Sequence, residues 1–233
     1  MNGGANPEAG GSAPGQRAPV PNARRLTADA RRRQLFEVAL TLFAEHGYAA
    51  TTMDDIAESA GVTKPLVYQH FESKRALYLE LMDVFSRELV TQIVKATANA
   101  VGPRQQVELG FAAYFELMVG NEQAFRLLYG RDAPDDPELG AALRRVEDAM
   151  AQAIDPLIDA GLDPEHRLLL AHAVVGMAEG ASRHWLDARR DGLPTGGGTA
   201  DGAVAETAEE DGSHLAVRLA DFAWAGLRQV HRI

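Results

Sequence analysis

The chain has 233 residues, 46% hydrophobic and 24% charged, so it is globular and long enough for one or two cores. It contains no cysteine, which excludes disulfides, zinc ribbons and thiol nucleophiles and fits a cytosolic protein. The net charge of −10 argues against a nucleic-acid partner until its distribution is considered. Residues 24–87 carry nine Lys/Arg against nine Asp/Glu, whereas residues 88–233 carry thirteen against twenty-three. The first third, with arginines at 24–25 and 31–33, is therefore the part an anion can approach.

Residues 1–23 are rich in Gly, Pro and Ala, without the apolar run of a signal peptide, and predict a disordered tail. Periodicity then begins: Phe36, Ala39, Leu40 and Phe43 recur at i, i+3, i+4 and i+7, the spacing of one helix face. Thr27 or Asp29 can cap that helix, and Gly47 supplies its stop. In TTMDDIAESAG, Thr52 is an N-cap with Asp55 at N3, and Met53, Ile56, Ala57 and Ala60 form a buried face before Gly61 ends the helix. Thr63 caps a third helix, with Pro65 in the first turn, where a missing N–H costs nothing. A fourth starts near Ser73, and its Leu77, Leu81, Phe85, Leu89 and Ile93 step by four, so the apolar stripe winds around the axis.

Gly102–Pro103 breaks the chain, and the remainder reads as helices near 104–119, 122–129, 137–160, 164–190 and 213–231. Asp155–Pro156 should kink or break the third of these, and Asp163–Pro164 opens the fourth, which ends at Gly192–Pro194. The glycine-rich, acidic stretch 191–212 reads as a mobile loop. No strand alternation is present and no apolar run is long enough to span a bilayer. The expectation is an all-α protein with a helical domain over 24–87 and a larger one over 88–233.

Two short helices meeting through SAGVTK fit a helix-turn-helix over about 51–70, whose second helix can enter the major groove. Gly61 supplies the positive φ of the turn, Val62 plugs the angle between the helices, and Val67 and Phe71 face the core beside Ile56 and Phe43. That leaves Lys64, Pro65, Leu66, Tyr68 and Gln69 outside. Lysine and glutamine can bond base edges, proline and leucine can touch a thymine methyl, and a tyrosine hydroxyl can bind phosphate. Lys74, with the free N–H groups of its helix end, can meet another phosphate. Arg31 and its neighbours can do so too, or form a solvated face.

The segment FAEHGYAATTMDDIAESAGVTKPLVYQHFESKRALYLELMD, with the arginine-rich helix before it, resembles the DNA-binding domain of the TetR family of bacterial transcriptional regulators over about residues 27–83. The resemblance places Thr52, Thr63, Lys64, Pro65, Leu66, Tyr68, His70 and Lys74 at DNA-facing positions, although His70 and Tyr68 also suit packing. Many members carry Gly-Thr after the lysine where this chain has Pro65–Leu66, so base preference does not transfer. The resemblance implies a cytoplasmic, nucleoid-associated bacterial regulator, a repressor released from DNA by a small molecule. It also implies a C-terminal ligand domain and a homodimer through the last two helices, which would read a palindromic operator on double-stranded DNA.

Phe111, Tyr114, Phe115, Met118, Phe125, Tyr129, Met150 and Trp185 are candidate walls for a hydrophobic ligand, and equally ordinary core. His172, Glu179 and Arg183 are polar positions on an apolar helix. The i, i+4 pair Glu179–Arg183 could orient a ligand or bond only itself. For self-association, Gly176 and Gly180 lie four apart on the long helix, and Ala216, Ala220 and Ala223 with Leu215, Leu219 and Phe222 line the last one. His172 and His184 lack chelate spacing, so no metal is expected, nor any cofactor or membrane partner. The alternative reading is a helical protein-interaction module or a small α-helical enzyme, but no nucleophile–base pair or paired carboxylates are apparent.

Overall fold

The computed structural model describes residues 26–130, 136–158, 161–193 and 208–230, the side chains of 208–210 and 229–230 excepted. The expected disordered tail 1–23 and the centre of the expected loop, 194–207, lie outside the described residues. Among the described residues all regular structure is helical: α1 (Ala28–Ala50), α2 (Met53–Ser59), α3 (Lys64–His70), α4 (Lys74–Thr97), α5 (Pro103–Gly120), α6 (Glu122–Tyr129), α7 (Pro137–Ile154), α8 (Pro164–Asp191) and α9 (Ala208–Val230). No described helix is long and apolar enough to cross a membrane.

Local chemistry sets the boundaries. Thr27, rather than Asp29, caps α1 by accepting the Ala30 N–H at 3.2 Å, and Gly47 at φ 80° bends its last turn, which continues to Ala50. Asp136 accepts the Glu138 and Leu139 N–H groups at 2.9 and 3.2 Å, and Asp163 accepts that of His166 at 3.0 Å, so the acidic caps of α7 and α8 hold the donors left free at a helix start. After Ile154 the chain tightens into a 3₁₀ turn at Asp155–Leu157, the break expected at Pro156. Gly192 ends α8 in the left-handed conformation.

The first three helices enclose Leu35, Ala39, Phe43, Ile56, Val67 and Phe71, all buried, and Val62 packs half-buried between α2 and α3. Helix α4 closes this headpiece with Leu77 and Tyr78 and runs on into the second domain with Leu81, Leu89 and Ile93. Its 24 residues span about 36 Å. Phe85 is half-buried and meets Phe125 of α6 edge-on at 5.1 Å.

Two expectations fail at α9. The loop read over 191–212 overruns the helix, which already runs from Ala208. Its first turns are pinned: the Trp185 indole donates to Asp211 at 2.6 Å, and a Cβ at Gly212 would come within 2.5 Å of Val119, so only glycine lets α9 lie this close to α5. The second failure follows from the same packing. Leu215, Ala216, Ala220 and Ala223, read as a self-association face, are buried within the chain where α9 lies along α5.

Candidate functional site

The helix-turn-helix is built from two caps and one glycine. Thr52 Oγ1 accepts the Asp55 N–H at 3.1 Å, while the Asp55 carboxylate accepts the Thr52 N–H at 2.8 Å. The Thr52 hydroxyl also donates to that carboxylate at 2.8 Å, and these bonds from Thr52 hold the Asp55 carboxyl below its ordinary range. Gly61 turns at φ 64°, and Val62 N–H returns to the Ala57 carbonyl at 2.9 Å. Thr63 stands at the N-cap of α3 but makes no capping bond through its side chain, contrary to expectation.

Val67 is wholly buried, which fixes the rotation of α3 and leaves Thr63, Lys64, Pro65, Tyr68 and Gln69 exposed. Leu66 and His70 are half-buried, and the His70 ring lies 6.4 Å from that of Phe71. Five outward residues of the expected DNA face are therefore brought together on one helix. Lys64 Nζ is bound by Asp54 Oδ2 at 2.8 Å. Arg31 is half-buried and bonds Gln34 at 2.5 Å, and Gln34 in turn bonds the Ala60 carbonyl at 3.2 Å.

Two cations hold the headpiece together. Lys74 Nζ donates to the carbonyls of Tyr48 and Thr51 at 2.7 and 2.8 Å and lies 4.3 Å from the centre of the Tyr48 ring. Desolvation lowers its pKa. The ammonium expected to meet phosphate is thus committed to the end of α1, and only the N–H groups of its helix end remain for an anion. Arg32 was missed as an individual. Its guanidinium donates to the His70 carbonyl at 2.6 Å, pairs with Glu80 and stacks on Phe71 at 4.3 Å, so it fastens the last turn of α3 to α1 and α4.

The second domain holds a half-open cavity of about 70 Å³, walled by Ile93 and Thr97 of α4, Gln106, Val107, Gly110, Phe111 and Tyr114 of α5, Met150 and Ile154 of α7, Val174, Val175 and Ala178 of α8, and Trp224 and Leu227 of α9. Of the eight aromatic and methionine candidates, Phe111, Tyr114 and Met150 line it. Phe115, Met118, Phe125, Tyr129 and Trp185 are core instead, each buried among other side chains. Tyr114 shares a 2.9 Å hydrogen bond with Ser182, and burial raises the pKa of its hydroxyl. The Tyr129 hydroxyl is buried next to that of Tyr114, and its pKa is likewise raised by burial. His172 and Arg183 are exposed and do not line the cavity. His172 lies 3.8 Å from Asp148, and Arg183 pairs with half-buried Glu179 along α8. The aliphatic walls were missed because their spacing is that of any buried helix face.

Among the described residues no three His, Asp or Glu side chains converge on a common point. Gly176, Gly180 and Phe222 are exposed and Leu219 is half-buried, so these remain of the expected self-association face.

The sequence matches the family model of bacterial regulatory proteins, tetR family, over residues 35–81. It is 32% identical over 208 residues to the HTH-type transcriptional activator FasR of Mycolicibacterium smegmatis, covering 88% of this chain and 87% of that one. The HTH-type transcriptional repressor KstR2 of Rhodococcus jostii is 33% identical over 94 residues, 40% of this chain and 46% of its own. Among solved structures, the fatty acid degradation regulator FadR from Bacillus halodurans superposes with a TM-score of 0.69 at 17% identity, over 88% of this chain and 99% of that one. FadR from Bacillus subtilis in complex with stearoyl-CoA does so at 0.67 and 16%, over 83% and 98%. At such identities the superpositions establish the fold.

Proposed function

Since the chain belongs to the TetR family of bacterial transcriptional regulators, we propose that it binds an operator in double-stranded DNA through α3 and that an apolar small molecule in the second-domain cavity sets its affinity. The observation that carries the DNA reading is the face of α3: Thr63, Lys64, Pro65, Tyr68 and Gln69 are exposed together while Val67 anchors the helix from behind. Arg31, Thr52, Leu66, His70 and the start of α4 at Lys74 lie at its margins and contribute phosphate contacts.

The protein acts as a homodimer joined through the outer faces of α8 and α9, with Gly176, Gly180 and Phe222 at the contact. Two headpieces then address half-sites about 34 Å apart, one helical turn, and the operator is an inverted repeat. Bound across a promoter the protein represses, and bound upstream it can activate. That sign belongs to the position of the operator in the DNA.

The cavity wall bears no charged side chain, so its occupant is apolar where enclosed. A fatty-acyl chain, the kind of group stearoyl-CoA brings to FadR of Bacillus subtilis, satisfies that wall. At about 70 Å³ the cavity admits only a handful of water-sized groups, so a long chain must part the helices or extend through the open side. Helix α4 carries Ile93 and Thr97 at the cavity, roughly 22 and 28 Å along the axis from Tyr78 at the headpiece. Ligand therefore favours a headpiece arrangement different from the one that fits the operator.

Selection of random-sequence duplexes by the purified protein tests the reading, with and without stearoyl-CoA. Enrichment of one inverted repeat, altered by the acyl-CoA, is the expected result. Salt-insensitive retention with no enriched sequence would refute it.

A further inference from the structure

The ion pair between α2 and α3 sits in the first turn of each helix. Lys64 Nζ is 2.8 Å from Asp54 Oδ2, and the two side chains remain 50% and 63% exposed. Asp54 takes no part in capping α2, which Thr52 and Asp55 perform between themselves. It bonds Lys64 instead, and that bond raises the lysine pKa. The other lysine of the headpiece, Lys74, is committed to the carbonyls at the end of α1, and Arg32 to His70 and Glu80. Lys64 is therefore the cation of the exposed α3 face, and a carboxylate stands beside it.

We infer that Asp54 is a specificity-determining residue that acts through Lys64, withholding its ammonium from the phosphates of DNA whose sequence does not fit α3. The inference rests on the DNA-binding reading above. Binding to unrelated DNA is driven almost wholly by phosphate neutralisation and counterion release. A lysine already paired with a carboxylate contributes little to that term: reaching a phosphate means leaving the pair and exposing Asp54 to the polyanion. An ion pair this exposed is weak, so it yields when the remaining α3 contacts align on the operator and offer Lys64 a base-edge acceptor. Over 24–87 acidic and basic residues are equal in number, so the headpiece has no net positive charge to lend to non-specific binding.

The test compares two duplexes, the one wild-type protein enriches from a random pool and a shuffled version of it, across a salt series. Asp54→Asn should tighten binding to the shuffled duplex roughly three- to tenfold at low salt and steepen its salt slope by about one, the value for one added phosphate contact. Binding to the enriched duplex should tighten less, so the ratio of the two falls. In a Lys64→Ala background the same substitution should change neither. Unchanged binding of the shuffled duplex by Asp54→Asn overturns the inference. An equal gain in the Lys64→Ala background overturns it too, because general charge repulsion would then account for the effect. Asp54→Ala, which also lacks the charge, guards against a defect peculiar to asparagine. Wild-type protein that enriches no duplex overturns the DNA-binding reading itself, a result distinct from the other two.

Discussion

The Tyr78 hydroxyl donates a 2.7 Å hydrogen bond to the Leu127 carbonyl, joining α4 to α6 in a buried setting where burial raises the phenol pKa. The same ring meets Phe43 and Tyr48 of α1 edge-on at 5.2 and 4.9 Å. One side chain thus touches the headpiece with its ring and the second domain with its hydroxyl. Arg75, in the first turn of α4, adds ion pairs to Asp136 and Glu138 at the start of α7.

Tyr78→Phe keeps the ring contacts and removes the buried bond to the Leu127 carbonyl. The cost should be about 1–3 kcal/mol of stability, read as a lower urea midpoint. The same variant should weaken the effect of stearoyl-CoA on operator affinity, because the joint between the domains loosens. An unchanged ligand response would remove Tyr78 from the coupling route.

Lys64→Ala and Tyr68→Ala should each weaken operator binding while leaving the dimer intact by analytical ultracentrifugation. Both side chains are exposed and neither contributes to the core, so folding should not suffer. Wild-type affinity in both variants would refute the assignment of α3.

Lys74→Met should separate a structural cation from a DNA contact. Losing its bonds to Tyr48 and Thr51 should cost about 1 kcal/mol and lower the melting temperature, with partial retention of operator affinity at low temperature. Abolished binding with unchanged melting would mean that the ammonium serves phosphate instead.

Gly110→Leu should fill the cavity. A Cβ at Gly110 would meet only the Thr97 methyl, at an ordinary 3.7 Å, so the backbone accepts a side chain and the isobutyl group occupies ligand space. Stabilisation by excess ligand, about 2.7 kcal/mol at a hundredfold over Kd, should disappear. A retained thermal shift would place the ligand elsewhere.

Asp136 has its carboxyl pKa lowered, chiefly by the bond from Arg75. A folded-state pKa below the unfolded value of about 3.9 contributes stability that is fully present above that value and lost as pH falls through the lower folded one. Asp55 and Asp163, lowered by their capping bonds, act with the same sign. Urea midpoints should therefore fall steeply below about pH 4, and Asp136→Asn should make that fall shallower. Glu147 acts with the opposite sign: its pKa is raised, mainly by desolvation, so protonation stabilises the fold as pH drops through the window just above the usual carboxylate range.

Local signals were enough for the helices, the helix-turn-helix and the family. Caps such as Thr52–Asp55 and Asp163, the turn at Gly61 and the four-residue step of Leu77 to Ile93 act over a few neighbouring residues, and the chain order states them completely. The outward face of α3 was legible for the same reason, because burying Val67 at one rotation of a seven-residue helix exposes Lys64, Pro65 and Tyr68. What each side chain binds was decided only by tertiary packing. Lys74 is claimed by carbonyls 23 and 26 positions earlier, and Arg32 by a carbonyl 38 positions later. Ala216, Ala220 and Ala223 became interior because α9 lies on α5, although small residues at that spacing serve a partner chain equally well. The cavity arose likewise from five helices failing to fill the space between them. A void leaves no mark on any single segment, since the side chains that border it have the same chemistry and spacing as those that pack.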